Sequence, residues 1–173
     1  MRWRRALAVI VLIGTLGMGG TLWSCRAVPS DFSYLNEPAV VELEGELDGL
    51  AFGATLKSVG RDTGDGRLAV DQDFVLIYHA PAALAGVTVT YTALDGVYAV
   101  RLGGQAVSGA VYAALGEIGN VLLTEQAVER REREGDGIVL WTADGAKRIH
   151  DAESGRPREV VWRRGKIRVL QYR

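Results

Sequence analysis

After residue 39, apolar and polar positions alternate with a period of two through most of the chain, as half-buried strands require. In 40–47, Val41, Leu43 and Leu47 fall on one face and Glu42, Glu44 and Glu46 on the other. The turn pair Asp48-Gly49 follows, and 52–59 returns with Phe52, Ala54 and Leu56 inward and Thr55 and Lys57 outward, a hairpin pattern. Leu68 and Val70 open a further strand running toward residue 74. The centre of the pattern predicts strands at 74–79, 87–92 and 97–102, broken by a short loop between Pro81 and Gly86 and by the turn Asp95-Gly96. Val87, Val89 and Tyr91 point one way, and Thr88, Thr90 and Thr92 the other. From 127 onward strands are expected at 128–133, 138–142, 147–151, 159–163 and 167–172, joined by turns rich in Gly, Asp and Pro.

The period changes once in this region. Val107, Val111, Leu115, Ile118 and Leu122 recur at spacings of 4, 4, 3 and 4, one stripe of a 3.6-residue helix. Ser108 is placed to cap it, and the helical segment is expected over about 105–123. Gly109, Gly116 and Gly119 each weaken it by up to about 1 kcal/mol. The segment is therefore expected either to split in two or to let a sheet approach closely. Roughly ten short strands and one helix make a mainly β (α+β) fold. The expected architecture is a curled antiparallel sheet or half-barrel, with the helix covering its concave face.

Ahead of this domain, Arg2, Arg4 and Arg5 precede 18 uncharged residues, 6–23, with small residues crowding the second half. That is the layout of a secretory signal. As a helix the run would span about 27 Å, close to a bilayer core of about 30 Å, so an uncleaved anchor stays open as an alternative. The arginines place the amino end in the cytoplasm and the rest outside. Leu22-Trp23-Ser24-Cys25 resembles the bacterial lipoprotein box, in which the cysteine is lipidated and becomes the mature N-terminus. The resemblance implies that Cys25 carries the lipid. Arg26 after it resembles lipoproteins sent to an outer membrane where there is one. The chain thus divides into 1–24, a lipoprotein signal peptide or membrane anchor; 25–38, a tether; and 39–173, the curled β domain. Phe32, Tyr34 and Leu35 make the end of the tether too apolar for plain linker, so it is expected to dock.

Composition narrows the function. A net charge of −1 argues against a nucleic-acid partner. The charge is uneven: nine acids and three bases between 31 and 71, against seven bases and one acid between 156 and 173. This reads either as two differently charged surfaces or as a basic edge facing anionic lipid headgroups. Cys25 is the single cysteine, so the domain has no internal disulfide.

Catalytic chemistry is sparse. His79 and His150 lie in separate strands, and no nucleophile–base grouping, metal-ligand spacing or phosphate loop accompanies them. Asp62 and Asp65 lack the further oxygen ligands of a calcium loop. Asp71, Asp73, Glu132, Glu134 and Asp136 offer acid–base pairs on paper, but strand-end carboxylates usually face solvent. Trp141 and Trp162 either pack in the core or line an apolar pocket.

Two turn motifs carry a family resemblance. The stretch DFVLIYHAPAALAGV, 73–87, and the stretch DAESGRPREVVW, 151–162, resemble the hairpins of the periplasmic lipoprotein-carrier and receptor superfamily (LolA/LolB-like half-barrels). That superfamily includes anti-sigma regulators and mycobacterial lipid-carrying lipoproteins. The resemblance implies an eleven-stranded half-barrel, a helical lid and an apolar cavity for acyl chains. The expected protein is therefore a non-enzymatic, extracytoplasmic lipoprotein without a cofactor. It is held to the membrane through Cys25 or an uncleaved helix, and it binds a lipid or acylated ligand at Val111, Leu115, Ile118, Leu122, Trp141 and Trp162. The alternative is an interaction or sensory module of the cell envelope, with a filled core and a protein partner of unknown identity.

Overall fold

The structure, a computed structural model, describes residues 31–60, 72–93, 96–107 and 110–173, with the backbone alone at 110–113. Eleven strands form one antiparallel sheet: β1 (Ala39–Leu47), β2 (Leu50–Ser58), β3 (Phe74–Ala80), β4 (Val87–Thr92), β5 (Val97–Leu102), β6 (Gln105–Ala106), β7 (Val128–Glu134), β8 (Gly137–Thr142), β9 (Lys147–Asp151), β10 (Pro157–Trp162) and β11 (Gly165–Tyr172). One α-helix, α1 (Ala110–Leu123), joins β6 to β7, and a 3-10 turn, Ser33–Asn36, precedes β1. The sheet order is β6-β5-β4-β3-β2-β1-β11-β10-β9-β8-β7. Two meanders, β1–β6 and β7–β11, thus meet where the first strand pairs with the last. Strands β6 and β7 are left as the edges, so the sheet is not closed.

Local chemistry sets most of these elements. Asp48 (φ 49°) and Gly49 (φ 83°) both take positive φ at the β1–β2 turn, as a two-residue hairpin loop of this kind demands. The period-two faces hold: Val41, Leu43, Leu47, Phe52, Ala54 and Leu56 are buried, and Lys57 is exposed. Strand β6 is an eleventh strand that the pattern did not reveal, because two residues are too few to show a period. The expected strand at Leu68 and Val70, and the cap at Ser108, lie outside the described residues. Helix α1 is a single piece rather than two.

The helix reports the curvature of the sheet. Asn120 Nδ2 donates to the Tyr98 hydroxyl on β5, and Trp162 Nε1 on β10 donates to Glu117 at 2.9 Å. These strands stand six places apart in the sheet order, which in a flat sheet is about 29 Å at about 4.8 Å per strand. A helix with its side chains is about 10–12 Å across. One helical turn touches both strands only because the sheet curls around it, as in a half-barrel.

Candidate functional site

The concave face and what fills it are the natural place to look for a site. Leu115, Ile118 and Leu122 of α1 are 2%, 0% and 0% exposed. They share one buried cluster with Leu43, Leu56, Leu76, Val89, Val160 and Ile167 of the sheet. The helix sits close enough that a Cβ on Gly116 would lie 2.6 Å from the Tyr98 ring, and one on Gly119 would lie 2.2 Å from the Phe74 ring. Side chains at these positions would push the helix off the ring cluster of Phe74, Tyr91 and Tyr98. Of the two roles open to the glycines, close approach is the one realised here.

Polar contacts fix the helix in place. Tyr78 Oη donates to the Leu115 carbonyl at 2.8 Å, and Tyr34 Oη to the Leu122 carbonyl at 2.8 Å. Burial pushes the Tyr78 hydroxyl well above its ordinary pKa, so it stays a donor. Arg164 joins Trp162 on the Glu117 carboxylate. At the helix C-terminus, where the last carbonyls lack partners within the helix, Arg148 donates to the Val121 carbonyl. Its charge also complements the negative end of the helix.

Arg148 is fully buried, and its fork is satisfied. Nε donates to Thr142 Oγ1 at 3.3 Å and one Nη to Asp144 at 2.9 Å. Desolvation raises the Asp144 carboxyl, but hydrogen bonds from Thr142 and the Ala146 N–H, with the Arg148 charge, outweigh it and the net direction is down. Two residues on, His150 is 1% exposed. Its ring stands edge-on to Phe32 and Tyr34, with centroids at 6.0 and 5.7 Å. Neither ring nitrogen meets a hydrogen-bond partner of normal geometry. Burial pushes its pKa down to about 4, and Arg148 adds to this against backbone contacts from Gly155 and Asp31.

The residues covering His150 are the end of the tether. Phe32, Tyr34 and Leu35 are buried, and Asp31 and Glu37 pair with Arg131 (3.1 Å) and Arg156 (3.3 Å). This strap runs under the ends of the second meander, from edge strand β7 toward β1, and docks as its apolar content demands.

The residues expected to bind a ligand are only partly brought together. Leu115, Ile118 and Leu122 line the helix–sheet interface, and Trp162 reaches it through Glu117. Trp141 does not join them. It pairs with Lys147, next to the Leu140–Arg148 pair, so alternation puts it on the opposite face of the sheet. There the Arg130 guanidinium lies 4.4 Å over its ring and Lys147 lies 5.9 Å away. The side chain of Val111, and Cys25, lie outside the described residues. Pattern reading did not reveal the internal role of Arg148, since nothing local marks a strand arginine as buried. The alternation Arg148-Ile149-His150 carried the only signal, and it reads equally well with isoleucine inward.

Five of the seven bases of 156–173 are paired with acids. Arg156 pairs with Glu37, Arg164 with Asp48, Arg168 with Glu44 and Lys166 with Glu159, while Arg158 bridges Asp136 and Asp151. The acids of β1 and its turn thus meet bases of β11 and the β10–β11 turn across the closing pair, so most of the charge that suggested a lipid-facing edge is matched within the sheet. Hydrogen bonds from Ser154, and Arg158 beside it, hold the Asp151 carboxyl down to about 2. Three of the candidate acid–base carboxylates are likewise engaged elsewhere: Asp73 accepts from the Ala93 N–H, Glu132 from Arg130 and Asp136 from Arg158, while Glu134 lies exposed at the end of β7. Asp71 lies outside the described residues.

No protein-family model matches the chain, and no curated protein matches it in sequence. Solved structures do. MucB superposes with a TM-score of 0.50 at 13% identity, over 87% of this chain and 57% of that chain. A LolA superfamily protein from Nitrosomonas europaea gives 0.38 at 12% identity, over 79% of this chain and 70% of that one. A putative outer membrane lipoprotein-sorting protein domain from Vibrio parahaemolyticus gives 0.34 at 10%, over 79% and 85%. Proteins described as LolA superfamily and lipoprotein-sorting are thus among the structural neighbours. At 13% identity, what MucB shares with this chain is the fold. The chain spans little more than half the length of MucB, which has also been solved in complex with MucA(peri).

Proposed function

We propose that this chain is a non-enzymatic envelope module, tethered on the outer side of a membrane through Cys25 or an uncleaved helix. Its half-barrel is completed by its own helix and acts by binding a protein partner on its outer surfaces. The observation that carries this reading is the filled concave face. Three stripe residues of α1 are at most 2% exposed, and six side chains from both meanders and the strap bond to the helix. The polar cluster around His150 does not support catalysis. Phe32 and Tyr34 seal its ring, no acid orients either nitrogen, and with its pKa near 4 it is neutral at ordinary pH.

A second reading is a lipid or acylated ligand taken beneath the helix, as the half-barrel resemblance implies. It is favoured by the apolar character of the surface that α1 covers. Uncovering Leu115, Ile118 and Leu122 costs roughly 1.5–3 kcal/mol each, while each buried methylene of an acyl chain returns about 0.8 kcal/mol. Only a long acyl chain offsets the displacement.

Native mass spectrometry of the protein purified from its own host separates the two. A bare polypeptide mass, with no binding of a fluorescent fatty acid at tens of micromolar, is the expected outcome. A lipid adduct that Leu115→Asp abolishes would replace the first reading by the second. For the anchor, an alkyne fatty acid should label the wild type and not Cys25→Ala. Equal labelling of both would remove Cys25 as the lipid site.

A further inference from the structure

The docking of the strap bears on how far the domain stands from its membrane. We infer that the strap holds one end of the sheet, the β9–β10 turn at 152–156 with edge strand β7, against the bilayer. The inference rests on the tethered reading above.

The argument is one of chain length and attachment point. Counted from Cys25 to β1, the tether has 14 residues and would reach up to about 50 Å if extended. Because the strap is docked from Asp31 onward, only the six residues 25–30 separate Cys25 from the docked part, and six residues span at most about 20 Å. Docking is substantial: Phe32, Tyr34 and Leu35 are 5%, 7% and 0% exposed. Tyr34 also bonds the Leu122 carbonyl, and ion pairs to Arg131 and Arg156 flank the strap. The start of the docked strap is set by the Asp31–Arg131 pair on β7 and by Phe32 against His150. His150 lies at the end of β9 that leads into the 152–156 turn. The opposite end of the sheet, with the turn at 163–164, lies the length of β11 away, eight residues or about 26 Å.

The chemistry of the near end indicates how it meets the bilayer. Arg130, Arg131, Arg156 and Arg158 each have a carboxylate partner. Most of the arginines at this end are therefore paired within the protein, with Arg133 and Arg173 the exposed exceptions, which limits the pull of anionic headgroups. This end is kept near the membrane by a short leash, so its proximity does not depend on salt or on lipid charge.

Energy transfer from the full-length protein to a dye in phosphatidylcholine vesicles tests this. A donor placed through an unnatural amino acid at exposed Glu153 should transfer at least about twice as efficiently as one at exposed Arg163, given the about 26 Å between the two ends. Inserting about twelve Gly/Ser residues between Arg26 and Ala27, which adds roughly 10 Å of mean reach and leaves the docked strap untouched, should lower transfer at Glu153. Raising salt to about 1 M, where screening acts within about 3 Å, should leave it unchanged. Equal transfer from the two positions, indifference to the insertion, or collapse in salt overturns the inference. Failure of the full-length protein to float with the vesicles instead removes the tethered reading, and the inference with it.

Discussion

The two meanders hold the same helix by different means. The first, β1–β6, meets α1 with rings: Phe74 stacks on Tyr91 with Tyr98 tilted against them, beneath Gly116 and Gly119, and its two hydrogen bonds to the helix, at Tyr78 and Tyr98, are uncharged. The second, β7–β11, meets it with charge and hydrogen bonds, through Arg148, Trp162 and Arg164. Apolar packing is non-directional and sets how closely the helix lies. A forked, fully buried guanidinium is directional and sets where the helix ends. The comparison shows that closeness and register along one helix are separable and are supplied here by different halves of the chain.

If this division is right, the largest effect comes from the second meander. Arg148→Met is expected to cost about 3–5 kcal/mol, because it strips a donor from the Val121 carbonyl and leaves the Asp144 carboxylate without its partner. Arg148→Lys should rescue little, since one ammonium cannot reproduce the fork. Urea melts that place Arg148→Met within 1 kcal/mol of wild type would end the argument for register.

The next effect is pH-dependent. The folded-state pKa of His150 lies below its ordinary 6.5, at about 4, so the unfolded chain binds the extra proton first. Stability is then fully present above about pH 6.5 and is lost as pH falls toward 4, by roughly 3 kcal/mol. His150→Phe should flatten melting temperature against pH in that window. A wild-type profile already flat there would mean that the ring protonates without disturbing the strap.

A smaller loss is expected in the first meander. Gly119→Ala should destabilise by about 1–3 kcal/mol through overpacking on Phe74, although helix propensity alone favours alanine by up to about 1 kcal/mol. If Gly119→Ala stabilises instead, the rings give way and closeness is not their role. The smallest effect belongs to the seam. Glu44→Lys removes an exposed partner of Arg168 and should cost at most about 1 kcal/mol, measured by chemical denaturation at low and high salt. A large loss would make the β1–β11 charges, rather than the helix, the main closure.

Much of this was legible in the chain. Strands β4, β5 and β9 run over the expected residues, and Phe32, Tyr34 and Leu35 announced a docking strap. The helix stripe at Leu115, Ile118 and Leu122 pointed at the core it fills. Trp141 was misleading because a tryptophan in a strand reads the same on either face, and only its pairing with Lys147 tells which. The 156–173 run of bases read as a surface in part because three of its acid partners, Glu37, Glu44 and Asp48, lie more than a hundred residues earlier.

What the sequence alone determined is whatever depends on near neighbours. Period-two alternation and Asp-Gly pairs define hairpins, and a 4-4-3-4 spacing defines one helix face. The tertiary structure decided everything that depends on distant partners. That includes the pairing of the first strand with the last, the curl that brings β5 and β10 to one helical turn, and the burial of Arg148 and His150. The physical reason is that burial and pairing energies belong to contacts, and the contacts that matter here join residues far apart in the chain, which a local pattern does not encode.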